Sequence, residues 1–162
     1  MATSKQPVKN QAGADLGILV LVGYQGFVRQ LHDDMANRGF DDLGRSDGIV
    51  MRVLHSRSRT VSELSGLLDI TPQGTAQIVD DMERRGYVVR RPSPDDARAR
   101  LVELSDRGRA AIAAARAFHR SFETRMRRRH GTAAVETFRA LLSDMAGEAP
   151  GGIDRELRAL YL

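Results

Sequence analysis

The sequence predicts a mainly α-helical domain with one small β-hairpin, and three observations support this fold class. The length of 162 residues is close to that of a single domain. Apolar residues recur at helical spacing over most of the chain. Two short β-type runs, residues 87–89 and 101–104, flank a segment rich in proline and arginine. With 41% hydrophobic and 28% charged residues, the composition is typical of a soluble globular protein.

Arginine dominates the basic residues and gives a first indication of function. The chain has 25 lysines and arginines, of which only Lys5 and Lys9 are lysines. Arginine suits phosphates and guanine edges, but a genome rich in G and C would produce the same bias, so the positions of the arginines must decide. The absence of cysteine excludes disulfides, thiolate nucleophiles and peroxide sensing through a sulfenic acid. We expect a cytoplasmic protein without a cofactor.

The first 45 residues divide into a tail and a long helix. Residues 1–13 are polar without periodicity, so we expect a flexible tail. Residues 14–45 are predicted to form a helix from about 15 to 38 and a loop over 39–45. The apolar run 18–22 is too short to span a membrane and no cleavage site follows it, so neither a signal peptide nor a membrane segment is expected.

Residues 46–105 form the central segment, which opens with two short helices. Ser46 is expected to cap the first of these, which ends near His55. Thr60 and Glu63 form a capping box that opens the second helix, because each side chain satisfies a free backbone donor. The side chains expected on the buried faces of the two helices are Ile49, Val50, Val53, Leu54, Leu64, Leu67 and Leu68.

A third helix of the central segment follows after a tight turn. Thr71 is its predicted N-cap, Pro72 its first residue and Gly86 its stop. Its buried stripe consists of Thr75, Ile78, Val79 and Met82. The second and third helices together predict a helix-turn-helix, and the β-hairpin after them predicts a wing.

Residues 106–162 are predicted to contain two further amphipathic helices. Ser105 caps the first, which runs from about 106 to 129 and stops at Gly131. Thr132 starts the second, which ends at Gly147. Their apolar stripes consist of Ile112, Ala115, Phe118, Phe122 and Met126, and of Val135, Phe138, Leu141, Leu142 and Met145. Residues 149–152 are predicted to be a hinge before a last amphipathic piece, 153–162.

The third helix carries a polar face opposite its buried stripe. Its members, at i, i+4, i+7 and i+11, are Gln73, Gln77, Asp80 and Arg84. Such a face is usually only solvated, and Asp80 would repel phosphate. Glutamine can, however, bind adenine through two hydrogen bonds, and the N-terminal part of a recognition helix meets base edges. Six arginines within residues 84–100 stand against Asp95 and Asp96 and are expected to neutralise phosphates, so the combination favours DNA binding.

Four motifs lie within residues 60–108. They are Val61-Ser62-Glu63-Leu64, then Val79-Asp80 with Glu83-Arg84-Arg85-Gly86, then Pro94-x-Asp96-x-Arg98, and last Val102-x-Leu104-Ser105-x-x-Gly108. With these motifs the segment resembles the winged helix-turn-helix core of the multiple-antibiotic-resistance regulator (MarR) family. The resemblance implies a transcription regulator, most simply a repressor, that binds a pseudo-palindromic operator in double-stranded DNA. It also implies an obligate homodimer whose dimerisation helices lie in residues 14–45 and 106–162.

The resemblance assigns roles to individual residues of the wing and the helix-turn-helix. It implies that Arg98 reaches the minor groove while Asp96 fixes Arg98 through a salt bridge. Together with the helical pattern, it gives as candidate DNA-binding residues Ser62, Thr71, Pro72, Gln73, Thr75, Ala76, Gln77, Arg84, Arg90, Arg98 and Arg100. Ser93 stands where the family commonly has an acidic residue, and Gly74 and Gln77 also depart from the usual residues. The operator sequence therefore does not carry over.

The effectors of the family resemble small aromatic acids or phenols. The resemblance to this family therefore implies a ligand pocket between the dimer helices and the winged segment. The candidate lining residues are Tyr24, Phe27, His32, Met51 and His55, each of which could equally be an ordinary core residue. Without cysteine, and with four histidines that lack metal-binding spacing, release from DNA is expected to depend on a small molecule and not on oxidation or a metal.

Two other functions remain open. An enzyme could use carboxylates such as Asp33, Asp41 and Asp47, but no base or nucleophile is paired with them and no nucleotide-binding or hydrolase motif is present, so no catalytic residue is predicted. A winged helix that binds protein without specific DNA binding is the second alternative. The arginines of residues 116–129 likewise have two interpretations: they stabilise a helix C-terminus, or they contact DNA or acidic residues of a partner subunit.

Overall fold

A computed structural model of the chain describes residues 15–94 and 99–147. These residues form a mainly helical fold with a small β-sheet, which confirms the predicted fold class. In chain order the elements are α1 (Leu16–Asn37), α2 (Asp47–Leu54), β1 (Arg59–Thr60), α3 (Val61–Leu68), α4 (Pro72–Arg84), β2 (Val88–Pro92), β3 (Arg100–Leu104), α5 (Asp106–His130) and α6 (Thr132–Ala146). The predicted tail, the hinge, the segment 153–162 and the wing residues Asp96 and Arg98 lie outside the described residues.

The sheet has three antiparallel strands in the order β1-β3-β2. The predicted hairpin pairs Val88 with Leu104 at its base and Pro92 with Arg100 toward its tip. The sequence pattern did not indicate β1, since two residues are too few to show an alternation. Thr60 belongs to this strand and is also the N-cap of α3, so the sheet and the first helix of the helix-turn-helix meet at one residue.

Most of the predicted helix starts are confirmed. The capping box of Thr60 and Glu63 is present, and the side chains of Thr71 and Ser105 each accept a hydrogen bond from the backbone N–H three residues later. Ser46 is an exception, because it occupies the N-cap position of α2 without a side-chain cap. The carboxylate of Asp47 instead accepts a hydrogen bond from the backbone N–H of Gly44 at 2.7 Å.

The core lies among α2, α3, α4, the sheet and the first half of α5. Its fully buried side chains include Val50, Leu64, Leu68, Val79, Met82, Tyr87 and Val102. Leu67 was predicted to face inward, but it is 38% exposed. Ser65 takes its place on the buried face of α3, where its hydroxyl donates to the carbonyl of Ser62 at 2.8 Å and so loses no hydrogen bond.

Gly108, in the first turn of α5, lies directly against the backbone at the start of β2. A Cβ added at this glycine would lie 2.1 Å from the carbonyl oxygen of Tyr87. The same oxygen accepts a hydrogen bond from the backbone N–H of Ser105 at 3.1 Å. Only a residue without a side chain allows α5 to start this close to the sheet.

The outer helices expose their apolar faces. No residue of α6 is buried, and Met35 is the only buried residue of α1. The exposed large apolar side chains of the two helices are Leu16, Ile18, Leu19, Leu21, Val22, Tyr24, Phe138, Leu141, Leu142 and Met145. Despite these apolar runs, none of the helices within residues 15–94 and 99–147 has the length and hydrophobicity needed to cross a bilayer.

Candidate nucleic-acid interface

The helix α4 presents the predicted polar face to solvent. Its four members, Gln73, Gln77, Asp80 and Arg84, are all exposed. At the N-terminal end of the helix, the hydroxyl of Thr71 accepts a hydrogen bond from the backbone N–H of Gly74 at 3.1 Å. Pro72 is also exposed at this end and Ala76 is half-buried, while Ser62 is exposed in the first turn of α3. The N-terminal half of α4 therefore offers amide side chains and a helix terminus together, which suits contact with base edges and a phosphate.

Thr75 lies on the opposite side of the same helix. It is fully buried, and its hydroxyl donates to the carbonyl of Thr71 at 3.1 Å. Of the candidate DNA-binding residues, Thr75 thus holds the helix from inside, and its side chain does not reach the surface.

Arg90, at the centre of β2, ties the wing to α4. Its guanidinium donates to the carboxylates of Asp80 and Glu83, and its backbone N–H donates to Glu83 at 3.1 Å. The side chain is only 24% exposed. Asp80, whose charge would otherwise repel phosphate, is compensated by this contact, and Arg90 is placed to orient the wing and not to reach outward.

Most of the other described arginines within residues 84–100 are also ion-paired. Arg84 pairs with Asp81 at 3.0 Å, and Arg91 pairs with Glu103 across the hairpin, but their side chains remain 73% and 68% exposed. Exposed pairs of this kind are weak and exchange readily for another anion. Arg100 is exposed and has no ion-pair partner among the described residues. The positive excess counted within residues 84–100 is therefore smaller in the fold, because the compensating acids come from α4 and β3.

The C-terminal end of α4 is anchored by a polar cluster that the sequence did not indicate. Tyr87 is fully buried, and its hydroxyl donates to the carboxylate of Asp42 in the loop between α1 and α2. Burial and this hydrogen bond raise the pKa of Tyr87 to about 12, and the same bond lowers the pKa of Asp42. The guanidinium of Arg107 donates to Asp42 at 2.9 Å and lies 4.7 Å from the centre of the Tyr87 ring. The phenol therefore stays protonated near neutral pH, as its hydrogen bond to Asp42 requires.

The residues proposed for an effector pocket lie in different surroundings. Met51 is buried in the core, while His32 and His55 are exposed and Tyr24 is 37% exposed. The ring of Phe27 packs against three rings of α5, which are those of Phe118, His119 and Phe122, at centroid distances of 5.1–5.6 Å. His119 is exposed, but partial desolvation of its imidazole lowers the pKa of this residue, with a further contribution from the charge of Arg52. The aromatic cluster between α1 and α5 is a feature that the sequence analysis missed, since His119 is far from Phe27 in the chain.

The positive charge of the arginines in residues 116–129, in the second half of α5, is partly compensated by acidic residues of the same chain. Arg127 pairs with Glu123 at 2.7 Å and with Glu136 of α6. Arg125 lies 5.7 Å from the centre of the Phe122 ring, in cation–π geometry. The pair of Arg127 and Glu136 fastens α6 to α5. No group of three or more potential metal-ligating side chains occurs in the described part of the chain.

Comparison with known proteins agrees with this geometry. The model of the MarR family matches residues 41–99, which include the helix-turn-helix and most of the wing. No curated protein sequence matches the chain significantly.

Several solved structures share the fold. RV1404 from Mycobacterium tuberculosis is similar with a TM-score of 0.70 and 19% identity over 88% of this chain and 99% of that one. YusO from Bacillus subtilis has a TM-score of 0.67 and 16% identity over 88% and 99% of the two chains. A mutant of S. aureus MepR bound to an oligodeoxyribonucleotide has a TM-score of 0.62 and 14% identity over 85% and 99%.

The fold and the exposed polar face of α4 define a winged helix-turn-helix protein. The resemblance indicated by the sequence motifs is confirmed: the winged segment matches the MarR family, and the chain has the fold of MarR-family transcription regulators.

Proposed function

We propose that the protein is a sequence-specific regulator that binds double-stranded DNA as a homodimer, represses transcription and is released by a small aromatic or phenolic ligand. The observation that carries this proposal is the exposed polar face of α4, which stands beside the wing. Such a regulator would act in the cytoplasm, where the DNA is, and needs no catalytic residue or cofactor. The DNA-bound state of S. aureus MepR, a protein of the same fold, supports DNA as the partner.

The candidate contacts divide by what they can reach. Gln73 and Gln77 lie where a recognition helix meets base edges, so they would set base preference. Thr71, Pro72 and Ala76 lie at the N-terminal end of α4, where a phosphate fits the free backbone N–H groups, and Ser62 is exposed in the first turn of α3. Arg84 and Arg100 are exposed enough to meet phosphates, and Arg98, outside the described residues, is proposed to enter the minor groove with Asp96 as its support. Arg90 would contribute by holding the wing against α4.

The exposed apolar faces of α1 and α6 support the homodimer. Monomeric proteins rarely expose large apolar patches, and these two helices carry ten exposed large apolar side chains. Pairing two copies through these helices would present two α4 helices to one face of a duplex. Half-sites about one helical turn apart, ~34–36 Å, would then form a pseudo-palindromic operator.

Ligand release requires that the effector bind two conformations with unequal affinity. The candidate pocket residues remain Tyr24, Phe27, His32, Met51 and His55, of which Phe27 packs against aromatic rings of α5 in tilted and edge-on geometry. An aromatic acid that changes the packing of α1 on α5 would alter the spacing of the two recognition helices.

Selection from random DNA tests the central proposal. The wild-type protein is expected to enrich a pseudo-palindromic duplex from a random-sequence pool. On that duplex Gln77→Ala should cost about 1–3 kcal/mol in binding and relax the preference at one base position. If no sequence is enriched while the protein captures other proteins, the winged helix is a protein-interaction module and the proposal is wrong.

A second titration tests the effector. Salicylate and related phenols are added to the complex of the protein with its selected duplex, with peroxide, zinc and a chelator as controls. We expect the aromatic acids to dissociate the complex and Tyr24→Ala to weaken their effect. Dissociation by peroxide or zinc alone would rule out the proposed mode of release.

A further inference from the structure

Arg85, the C-cap residue directly after α4, holds this helix against the loop between α1 and α2. Its guanidinium donates to both carboxylate oxygens of Asp47, the first residue of α2, with the longer contact at 3.1 Å. It also donates to the carboxylate of Asp81, one turn earlier in α4, and to the backbone carbonyl of Asp42 at 2.6 Å. One side chain therefore joins the recognition helix, the loop and the start of α2.

The pair of Arg85 and Asp47 is largely removed from solvent. The side chains of Arg85 and Asp47 are 17% and 3% exposed. The loop closes over the carboxylate, since the backbone N–H of Gly44 donates to it at 2.7 Å. A buried ion pair contributes little net stability compared with apolar side chains of the same volume, but the planar guanidinium fixes the direction of its partners. The geometry therefore favours orientation of the helix as the role of this pair.

A second set of contacts holds the same junction from α5. Arg107 donates to the carbonyl of Arg85 at 3.1 Å and to the carboxylate of Asp42 at 2.9 Å. The loop residue Asp42 thus receives hydrogen bonds from the side chains of Arg85, Tyr87 and Arg107. The end of α4 is consequently fixed to the segment that follows α1 and to the first turn of α5.

The opposite end of α4 carries the candidate base contacts, so an angular error at Arg85 is magnified. Gln73 and Arg85 are twelve positions apart, which corresponds to about 18 Å along a helix. A tilt of about 10° at Arg85 would move Gln73 by about 3 Å, more than a hydrogen bond to a base tolerates. Gln77 is eight positions from Arg85, and both residues line a cleft of about 300 Å³ together with Gly44 and Asp47.

We propose that Arg85 is a positioning residue for DNA recognition, which sets the angle of α4 relative to the α1–α2 loop through Asp47 without touching DNA itself. The proposal rests on the DNA-binding function proposed above. It adds that base recognition by this chain depends on a buried ion pair between α4 and the loop that precedes α2.

The test compares DNA binding of three variants with that of the wild type. Arg85→Lys keeps the charge but loses the planar fork. The double variant Asp47→Leu with Arg85→Met removes the pair without leaving a buried charge behind, and Asp81 keeps Arg84 as its partner. Arg38→Gln is the matched control, since Arg38 pairs with Asp34 at the same i, i+4 spacing as Arg85 with Asp81, but in α1.

Fluorescence anisotropy is measured over a range of salt concentrations on two probes, the duplex that the wild type selects from the random pool and the same duplex with scrambled base order. For Arg85→Lys and the double variant we expect affinity for the selected duplex to fall by about tenfold or more, because base contacts are lost. Affinity for the scrambled duplex and the slope of log K against log salt should stay at the wild-type values, because no phosphate contact is removed. Circular dichroism and particle mass should also match the wild type, and Arg38→Gln should bind normally.

Each other result overturns the inference. A folded double variant that binds the selected duplex like the wild type would show that Arg85 only stabilises the fold. A double variant that does not fold would show that the pair is required for folding and not for orientation. A smaller salt slope on both probes would identify Arg85 as a direct phosphate contact. Failure of the wild type to select any duplex would instead refute the DNA-binding function itself, so the two failures are distinguishable.

Discussion

The contact between Gly108 and Tyr87 leads to a prediction whose sign can be worked out from the structure. Gly108→Ala would place its Cβ 2.1 Å from the carbonyl oxygen of Tyr87, and real Cβ atoms essentially never approach closer than 3.0 Å. The obstacle is backbone, which cannot rotate away as a flexible side chain would. The start of α5 and the start of β2 must therefore separate by about 1 Å.

The size of the effect follows from three contributions. Overpacking of a well-packed site costs about 1–3 kcal/mol. The hydrogen bond from the N–H of Ser105 to the same carbonyl, 3.1 Å long, is weakened at a cost of about 0.5–1.5 kcal/mol. The helix propensity of alanine returns at most about 1 kcal/mol. We expect a net loss of about 0.5–3.5 kcal/mol, and a central value of about 2 kcal/mol would lower the Tm by about 4–8 °C.

Thermal and urea unfolding at one fixed protein concentration measure this effect, because the Tm of an oligomer depends on concentration. Gly66→Ala is the matched control: Gly66 is an exposed glycine within α3, and an added Cβ would meet nothing within 4 Å. This control should gain about 0.5–1 kcal/mol, the opposite sign. Equal or greater stability of Gly108→Ala relative to the wild type would refute the argument from close approach.

Three further results are expected. Light scattering should give about twice the chain mass of 17.9 kDa. Phe138→Glu places a charge on the exposed face of α6 and should give monomers, whereas an unchanged mass would mean that α6 is not at the interface. Arg100→Gln should reduce the slope of log K against log salt for DNA binding by about 0.9, while Arg90→Gln should leave this slope unchanged. Equal slopes for the two variants would contradict the distinction between an arginine without an ion-pair partner and a paired arginine. Partial desolvation lowers the pKa of His119 below the ordinary 6.5, so the unfolded state binds more protons than the folded state as the pH falls from about 7 to 5. The free energy of unfolding should therefore decrease over this range. In urea titrations at each pH, His119→Gln should flatten this decrease, and an unaltered profile would exclude His119 as the cause.

Local signals predicted the helices and the hairpin well. The caps at Thr60, Thr71 and Ser105 depend on residues no more than three positions away, so the sequence determines them without tertiary contacts. The case of Ser46 shows where this reasoning fails. Ser46 has helical backbone angles (φ -85°, ψ -13°) in place of the extended angles of an N-cap, so its side chain makes no cap. The segment before α2 is instead held by Asp47 and Arg85, which are 38 positions apart, and their contact has no local signature.

The electrostatics of the candidate interface were less predictable. Counting charges within residues 84–100 captured the arginines but not their partners. Glu83 and Glu103 stand outside that window. Glu83 meets Arg90 because β2 runs back along α4, and Glu103 meets Arg91 because the hairpin brings β3 beside β2. Likewise, β1 could not be recognised from two residues, since its partner strand lies about forty positions away. Tertiary pairing decides these features, whereas periodicity decides the helices.

The internal pairing of the wing arginines has a consequence for how such a protein would search a genome. Non-specific affinity for DNA comes almost entirely from cations that displace counterions from phosphates. An arginine already held by a carboxylate, such as Arg90 between Asp80 and Glu83, gains little by moving to a phosphate. The chain would therefore spend less time on the vast excess of unrelated sequence than its count of arginines suggests. Its occupancy of an operator would then depend more on the glutamines of α4, and this raises the ratio of specific to non-specific binding on which discrimination in a cell depends.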